Sequence, residues 1–112
     1  MEIHRIIIEL EGMEDKLLSL GDEWARAKAQ YEFKEKMEKT ELARLMGESL
    51  AKSQSAKEQE ARCHLDYLGF LKELEVLREK YLLAQVQYEA AKVKNDNLRS
   101  LLSMEKTKVG MF

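Results

Sequence analysis

The stretch Cys63–Leu102, CHLDYLGFLKELEVLREKYLLAQVQYEAAKVKNDNLRSLL, carries its apolar residues in an unbroken three-four rhythm. Cys63, Tyr67, Phe70, Leu74, Leu77, Tyr81, Ala84, Tyr88, Ala91, Leu98 and Leu102 keep the spacing, and Asn95 is its one polar member. Spacing that alternates three and four follows one face of a helix, and that face needs a second helix against it. A lone Asn on such a seam either fixes register and oligomer state at a cost in stability, or marks a seam that is already solvated.

The same helix is apolar on a second side. Leu65, Val76, Leu83, Val86, Ala90 and Val93 make a stripe opposite the seam, widened by Leu68, Leu71 and Leu82. A helix apolar on two sides needs partners on two sides. Without a third long helix, the second partner is expected to be another copy of the chain, giving a homo-oligomeric four-helix or larger bundle.

Working outward, the amino-terminal segment has its own seam of Ile3, Ile6, Leu10, Met13, Leu17, Leu20, Trp24, Ala27 and Tyr31, spaced three and four apart. The next members of that series, Lys34 and Glu38, are charged. The apolar stripe is therefore expected to drift to Phe33, Met37, Leu42, Leu45 and Met46, as a straight helix does against a 3.5-residue repeat. Gly21-Asp22 could end one helix and cap another, but the phase holds from Leu17 to Trp24, which favours one continuous helix over about 2–46. If Gly21 does break it, the halves would fold over both sides of the second helix.

Gly47 suits a helix C′ position, and a turn is expected over 47–55. Ser55-Ala56-Lys57-Glu58 has the S-x-x-E form of a capping box, predicting a second helix over about 56–106 and a frayed tail over 107–112. The fold class is thus all-α, a single domain built as a long antiparallel helical hairpin. A reversal near residue 51 would put Trp24 beside Leu77 and Tyr81, Leu17 beside Ala84, and Leu10 beside Ala91. Residues 1–33 carry four basic and eight acidic groups while residues 92–112 carry five basic and two acidic, so folding back would set opposite charges side by side.

Composition narrows the function classes. No proline, five glycines and 36% charged residues beside 45% hydrophobic ones match long amphipathic helices rather than disorder. The single Cys63 cannot close an intrachain disulfide, which fits a reducing, cytoplasmic setting. Ile6-Ile7-Ile8 is too short for a signal h-region, and no apolar run approaches the roughly 18 residues of a membrane span, so no membrane partner is expected.

The chemistry-bearing residues are sparse. Cys63, His64 and Asp66 lack the paired spacing of a zinc site, and His64 points about 100° away from Cys63 around a helix, so neither a metal nor a cysteine nucleophile is expected. No phosphate-binding glycine loop or nucleophile elbow occurs, and no cofactor or catalytic residue is expected. Tyr31, Tyr67, Tyr81 and Tyr88 fall on seam positions, where core packing with the hydroxyl at the edge explains them better than base stacking. Trp24, Tyr31, Tyr67, Phe70, Leu74, Leu77, Tyr81, Ala84, Tyr88 and Asn95 are therefore read as the packing and oligomer seam. Lys92, Lys94, Arg99, Lys106 and Lys108 could contact nucleic-acid phosphates, unless Glu9, Glu11, Glu14 and Asp15 neutralise them across the hairpin.

One further pattern is a resemblance. Tyr31-Glu32 with Lys34 and Lys36, Ser55-Ala56 with Glu58 and Ala61, and Leu98-Arg99-Ser100 with Ser103, Glu105 and Lys106 are similar to small all-helical phage and prophage proteins. Those are encoded among early genes near single-strand annealing and single-strand-binding proteins. The resemblance implies an accessory role in phage recombination or replication, or the blocking of a host defence. The expected function is a non-enzymatic protein–protein interaction or scaffold protein, and the alternatives are a nucleic-acid-binding module using the basic carboxy-terminal segment or a phage counter-defence inhibitor.

Overall fold

The computed structural model of the chain describes residues 2–110. Four helices follow in order: α1 (Glu2–Lys36), α2 (Glu38–Glu48), α3 (Gln54–Arg62) and α4 (Leu65–Lys108). No strand occurs among the described residues. Met37 alone separates α1 from α2, and its backbone stays right-handed helical (φ −80°, ψ −9°). Its N–H donates to Phe33 O at 3.2 Å and Lys34 O at 3.1 Å, and its carbonyl accepts from Glu41 at 3.0 Å, so helical bonding is handed on across it. The backbone passes through Gly12 and Gly21 without interruption. A Cβ on Gly21 would lie 3.4 Å from the Tyr88 ring, so the missing side chain lets that ring lie against α1.

The ends of the helices differ from the sequence expectations. Gly47 lies inside α2 and does not take the left-handed conformation; the helix ends one residue later, at Glu48, and is followed by extended Ser49 (φ −71°, ψ 138°). The α3 cap is Ser53, not Ser55: its backbone is extended (φ −95°, ψ 152°) and its Oγ accepts from Ala56 N at 3.1 Å. Ser55 is already helical, and Glu58 forms an i,i+4 pair with Arg62 at 2.9 Å instead of closing a capping box. Two serines compete for the cap, and the one with non-helical backbone takes it. The second helix is not continuous either. It stops at Cys63, and α4 restarts after His64, whose Nδ1 accepts from Asp66 N at 3.0 Å. Cys63 is consequently exposed and off the seam. At the far end α4 runs to Lys108, and Gly110 takes the left-handed conformation (φ +68°) with its N–H donating to Thr107 O at 3.2 Å. Met111 and Phe112 of the expected tail lie outside the described residues.

The chain divides into two compact units. Unit 1 takes residues 1–25 and 82–112, and unit 2 takes residues 26–81. In unit 1 the buried core is Ile6, Met13, Ala91 and Leu98, with Leu10, Leu17, Leu20, Leu101 and Leu102 packed on it. Early residues of α1 meet late residues of α4, so the pairing is antiparallel. Ile6 is wholly buried, which stabilises the fold by about 1.5–3 kcal/mol. Trp24 packs on Tyr88 with ring centroids 5.3 Å apart.

Unit 2 is a second antiparallel pair, with a core of Leu45, Ala61 and Tyr67 flanked by Leu42, Met46 and Leu71. Tyr31 stacks on Tyr81 at 5.8 Å, with 20° between the rings. Ser49 Oγ donates to Glu60 at 2.8 Å, tying the α2–α3 turn. The register corrects the expected one. Trp24 meets Tyr88 rather than Tyr81, a full heptad further along, and Tyr81 belongs to Tyr31. The separate α3 and the break after Cys63 use up chain that a single unbroken helix would have spent on axial rise.

On α4, the second apolar stripe is solvent-facing: Leu65, Leu68, Val76, Leu82, Leu83, Val86, Ala90 and Val93 are all exposed. No helix among the described residues is long and apolar enough to cross a membrane.

Candidate protein-docking groove

The site follows from how the α1 seam continues into unit 2. Leu42, Leu45 and Met46 pack in the unit 2 core as expected, but the stripe does not pass through Phe33 and Met37. Lys34 and Glu38 keep their seam positions and are half-buried, whereas Phe33 is 68% and Met37 38% exposed. The charged residues stay because α4 supplies partners for them. Lys34 Nζ lies 4.3 Å above the Phe70 ring and donates to Glu73 at 2.7 Å. Glu38 accepts from the buried Tyr67 hydroxyl at 2.8 Å. Burial, and then the hydrogen bond to Glu38, raises Tyr67 above its ordinary pKa.

Phe33 and Met37 are thereby turned outward, and they form one wall of a groove of about 600 Å³. Leu65, Gly69 and Phe70 of α4 form the other wall. Space around Gly69 is open: a Cβ there would meet nothing within 4 Å. A continuation of the groove runs past Lys72, Val76 and Leu77. Arg44 closes one end, bonded to Glu41 at 2.7 Å and Glu48 at 2.9 Å, and lying 3.6 Å from Asp66. The Arg44 hydrogen bond draws Glu41 below the usual carboxylate range, and the reciprocal bond holds Arg44 charged. With the rim charges paired to one another and the walls apolar, the groove is suited to receive apolar side chains of a helix. It contains no histidine or cysteine among its lining residues. Among the described residues no group of three or more His, Cys, Asp or Glu could hold a metal ion.

The other expected site residues divide between the units. Tyr31, Tyr67, Phe70, Leu74, Leu77 and Tyr81 occupy the seam of unit 2, and Trp24, Ala84, Tyr88 and Asn95 that of unit 1, all buried or half-buried. Trp24 Nε1 is buried without a hydrogen-bond partner. Lys92, Lys94, Arg99 and Lys108 are exposed and Lys106 half-buried. Among the described residues none of these five forms an ion pair with Glu9, Glu11, Glu14 or Asp15. Lys108 pairs with Glu105 on its own helix at 3.3 Å, and Lys94 shares a hollow with Lys16 beside Leu20 and Ala91. Sequence reasoning missed Phe33 and Met37 as surface residues, although the unbroken spacing through Lys34 and Glu38 was the signal that the seam stayed in phase.

Comparison with protein-family models, with curated proteins and with solved structures finds no match. What fold and groove define is a class only: an all-α protein of antiparallel helical pairs with an open apolar groove in its second unit.

Proposed function

We propose that this chain is a non-enzymatic protein-binding or scaffold module that engages helical partners, its own copies included, through the unit 2 groove. The supporting observation is the concentration of Phe33, Met37, Leu65 and Val76, all exposed, around one groove in which Lys34 is paired with Glu73 and Arg44 with Glu41. Contiguous exposed apolar surface of this kind marks interaction sites in soluble proteins. The resemblance to small phage proteins supports work in the cytoplasm, in recombination or replication of phage DNA or in countering a host defence. The test uses a tagged full-length chain in its own host, compared with the F33S/L65S variant. Helicity should be unchanged while specific co-purifying proteins are lost; identical protein sets for both would sink the reading.

A nucleic-acid-binding module is the second reading. It is favoured by the exposure of Lys92, Lys94, Arg99 and Lys108 and by the hollow that Lys94 shares with Lys16. Under this reading, single-stranded DNA binding falls steeply with salt, and K16E/K94E flattens the slope by about two counterions. Negligible binding at low salt would eliminate it.

A further inference from the structure

We infer that the occupant of the unit 2 face is a second copy of this chain, related by a two-fold axis near Val76 that sets the two α4 helices antiparallel. The inference rests on the protein-binding reading above and names its partner. On α4, Leu65, Gly69, Lys72, Val76 and Glu79 recur at spacings of four and three, and every one of them is exposed. This is a second helical seam, facing away from Tyr67, Phe70, Leu74, Leu77 and Tyr81. Two of its members are charged, and the ion pairs formed among the described residues include neither Lys72 nor Glu79.

Their placement selects the partner and its direction. Lys72 lies four residues before Val76 and Glu79 three after it. The two are seven residues apart on one helix, about 10 Å along its axis, so they do not meet within a chain. In a parallel pair in register, Lys72 would oppose Lys72 of the other copy and Glu79 would oppose Glu79, two repulsive contacts. Turning the second helix antiparallel about the midpoint of Lys72 and Glu79, which falls between Glu75 and Val76, brings Lys72 of each copy to Glu79 of the other, two attractive contacts. An isologous interface needs such self-complementarity. A partner of unrelated sequence would have to supply the same two charges in reversed order at the same separation.

The contact is apolar around these charges. Leu65 and Val76 flank the open notch at Gly69, and Phe33 and Met37 rise on the groove side of the same unit. A two-fold doubles each of these side chains in the interface, and the stems of Lys72 cover apolar surface while their ammonium groups reach the carboxylates.

The test is the solution mass of the full chain by light scattering, with Lys72→Glu, Glu79→Lys and the double exchange K72E/E79K. Wild type should show at least twice the 13.1 kDa of one chain. Each single change replaces both attractions with repulsions and should weaken association about tenfold or more. The double exchange restores opposite charges and should return association to near wild type; all three variants keep wild-type helicity, because the residues are exposed. A double exchange as weak as the singles overturns the antiparallel pairing, and so do singles that associate as well as wild type, the result of a parallel seam. A monomeric wild type at about 100 µM, well above the Kd of a specific pair, overturns the second copy as occupant. The protein-binding reading is judged separately, because it stands if F33S/L65S still loses specific proteins from a monomeric chain.

Discussion

Lys34 holds its ammonium group 4.3 Å above the ring of Phe70, in a seam position that a heptad would ordinarily give to an apolar residue. The Lys34 side chain is 26% exposed, whereas its ion-pair partner Glu73 is 69% exposed, so the carboxylate remains solvated whether or not the lysine is present. Lys34→Ala should lose the cation–π contact and the packing of the lysine stem, costing about 1 kcal/mol. Lys34→Met keeps the stem and removes the charge, and should be neutral or slightly stabilising. Thermal unfolding of the two variants separates these contributions; equal losses would show that the charge matters more than the stem.

Tyr67 links stability to alkaline pH. Burial, followed by its hydrogen bond to Glu38, raises its hydroxyl above the ordinary 10.0. The hydrogen bond to Glu35 raises Tyr31 as well. For a group whose folded pKa is raised, the stabilisation is fully present below the unfolded value and is lost as pH climbs towards the folded one. Unfolding free energy should therefore fall above about pH 10, where the unfolded chain releases protons first. Tyr67→Phe should cost about 1–2 kcal/mol at pH 7, since Glu38 loses a donor, and should make the alkaline decline shallower. A decline of unchanged slope would place its origin elsewhere.

The start of α3 offers a comparison between neighbours. Ser53→Ala removes the hydroxyl that accepts from Ala56 N and should destabilise the protein by about 1 kcal/mol. Ser55→Ala replaces a residue already inside the helix and should change stability by a few tenths of a kcal/mol at most, in the direction of helix propensity. Denaturant titration of both variants checks the assignment, and a larger loss at Ser55 would return the cap to it.

Trp24 carries an internal conflict between packing and polarity. Its ring lies against Tyr88, yet its buried Nε1 donates to nothing, and an unsatisfied buried donor costs about 1–3 kcal/mol. Trp24→Phe removes the donor and keeps an aromatic contact, so its stability should stay within about 1 kcal/mol of wild type despite the smaller ring. Trp24→Ala forfeits the packing as well and should cost about 2 kcal/mol or more. Similar losses for both would mean that the indole nitrogen is not a liability.

How far the sequence reaches can be judged from particular residues. The α4 seam from Tyr67 to Leu102 is buried or half-buried at each member, because helical periodicity is local and needs only the three-four spacing to show which face turns inward. The outward stripe of Leu65, Val76, Leu83, Val86 and Val93 was equally legible. The groove was only partly so. Phe33 and Met37 looked like the continuation of the seam as long as Lys34 and Glu38 were judged by charge alone, without sight of Phe70, Glu73 and Tyr67.

The all-α class, the antiparallel pairing and the identity of the inward faces were thus determined by the chain's own pattern of apolar residues. Register, caps and the groove were decided only in three dimensions. A slip of one heptad keeps seam residues on the seam, so periodicity cannot distinguish Trp24 against Tyr81 from Trp24 against Tyr88. That choice falls to individual contacts, namely the Tyr88 ring laid on Gly21, the stack of Tyr31 on Tyr81 and the Lys34 ammonium over Phe70. Likewise both Ser53 and Ser55 can cap a helix in isolation, and only the folded chain shows that Ser53 is the one with the extended backbone that a cap requires.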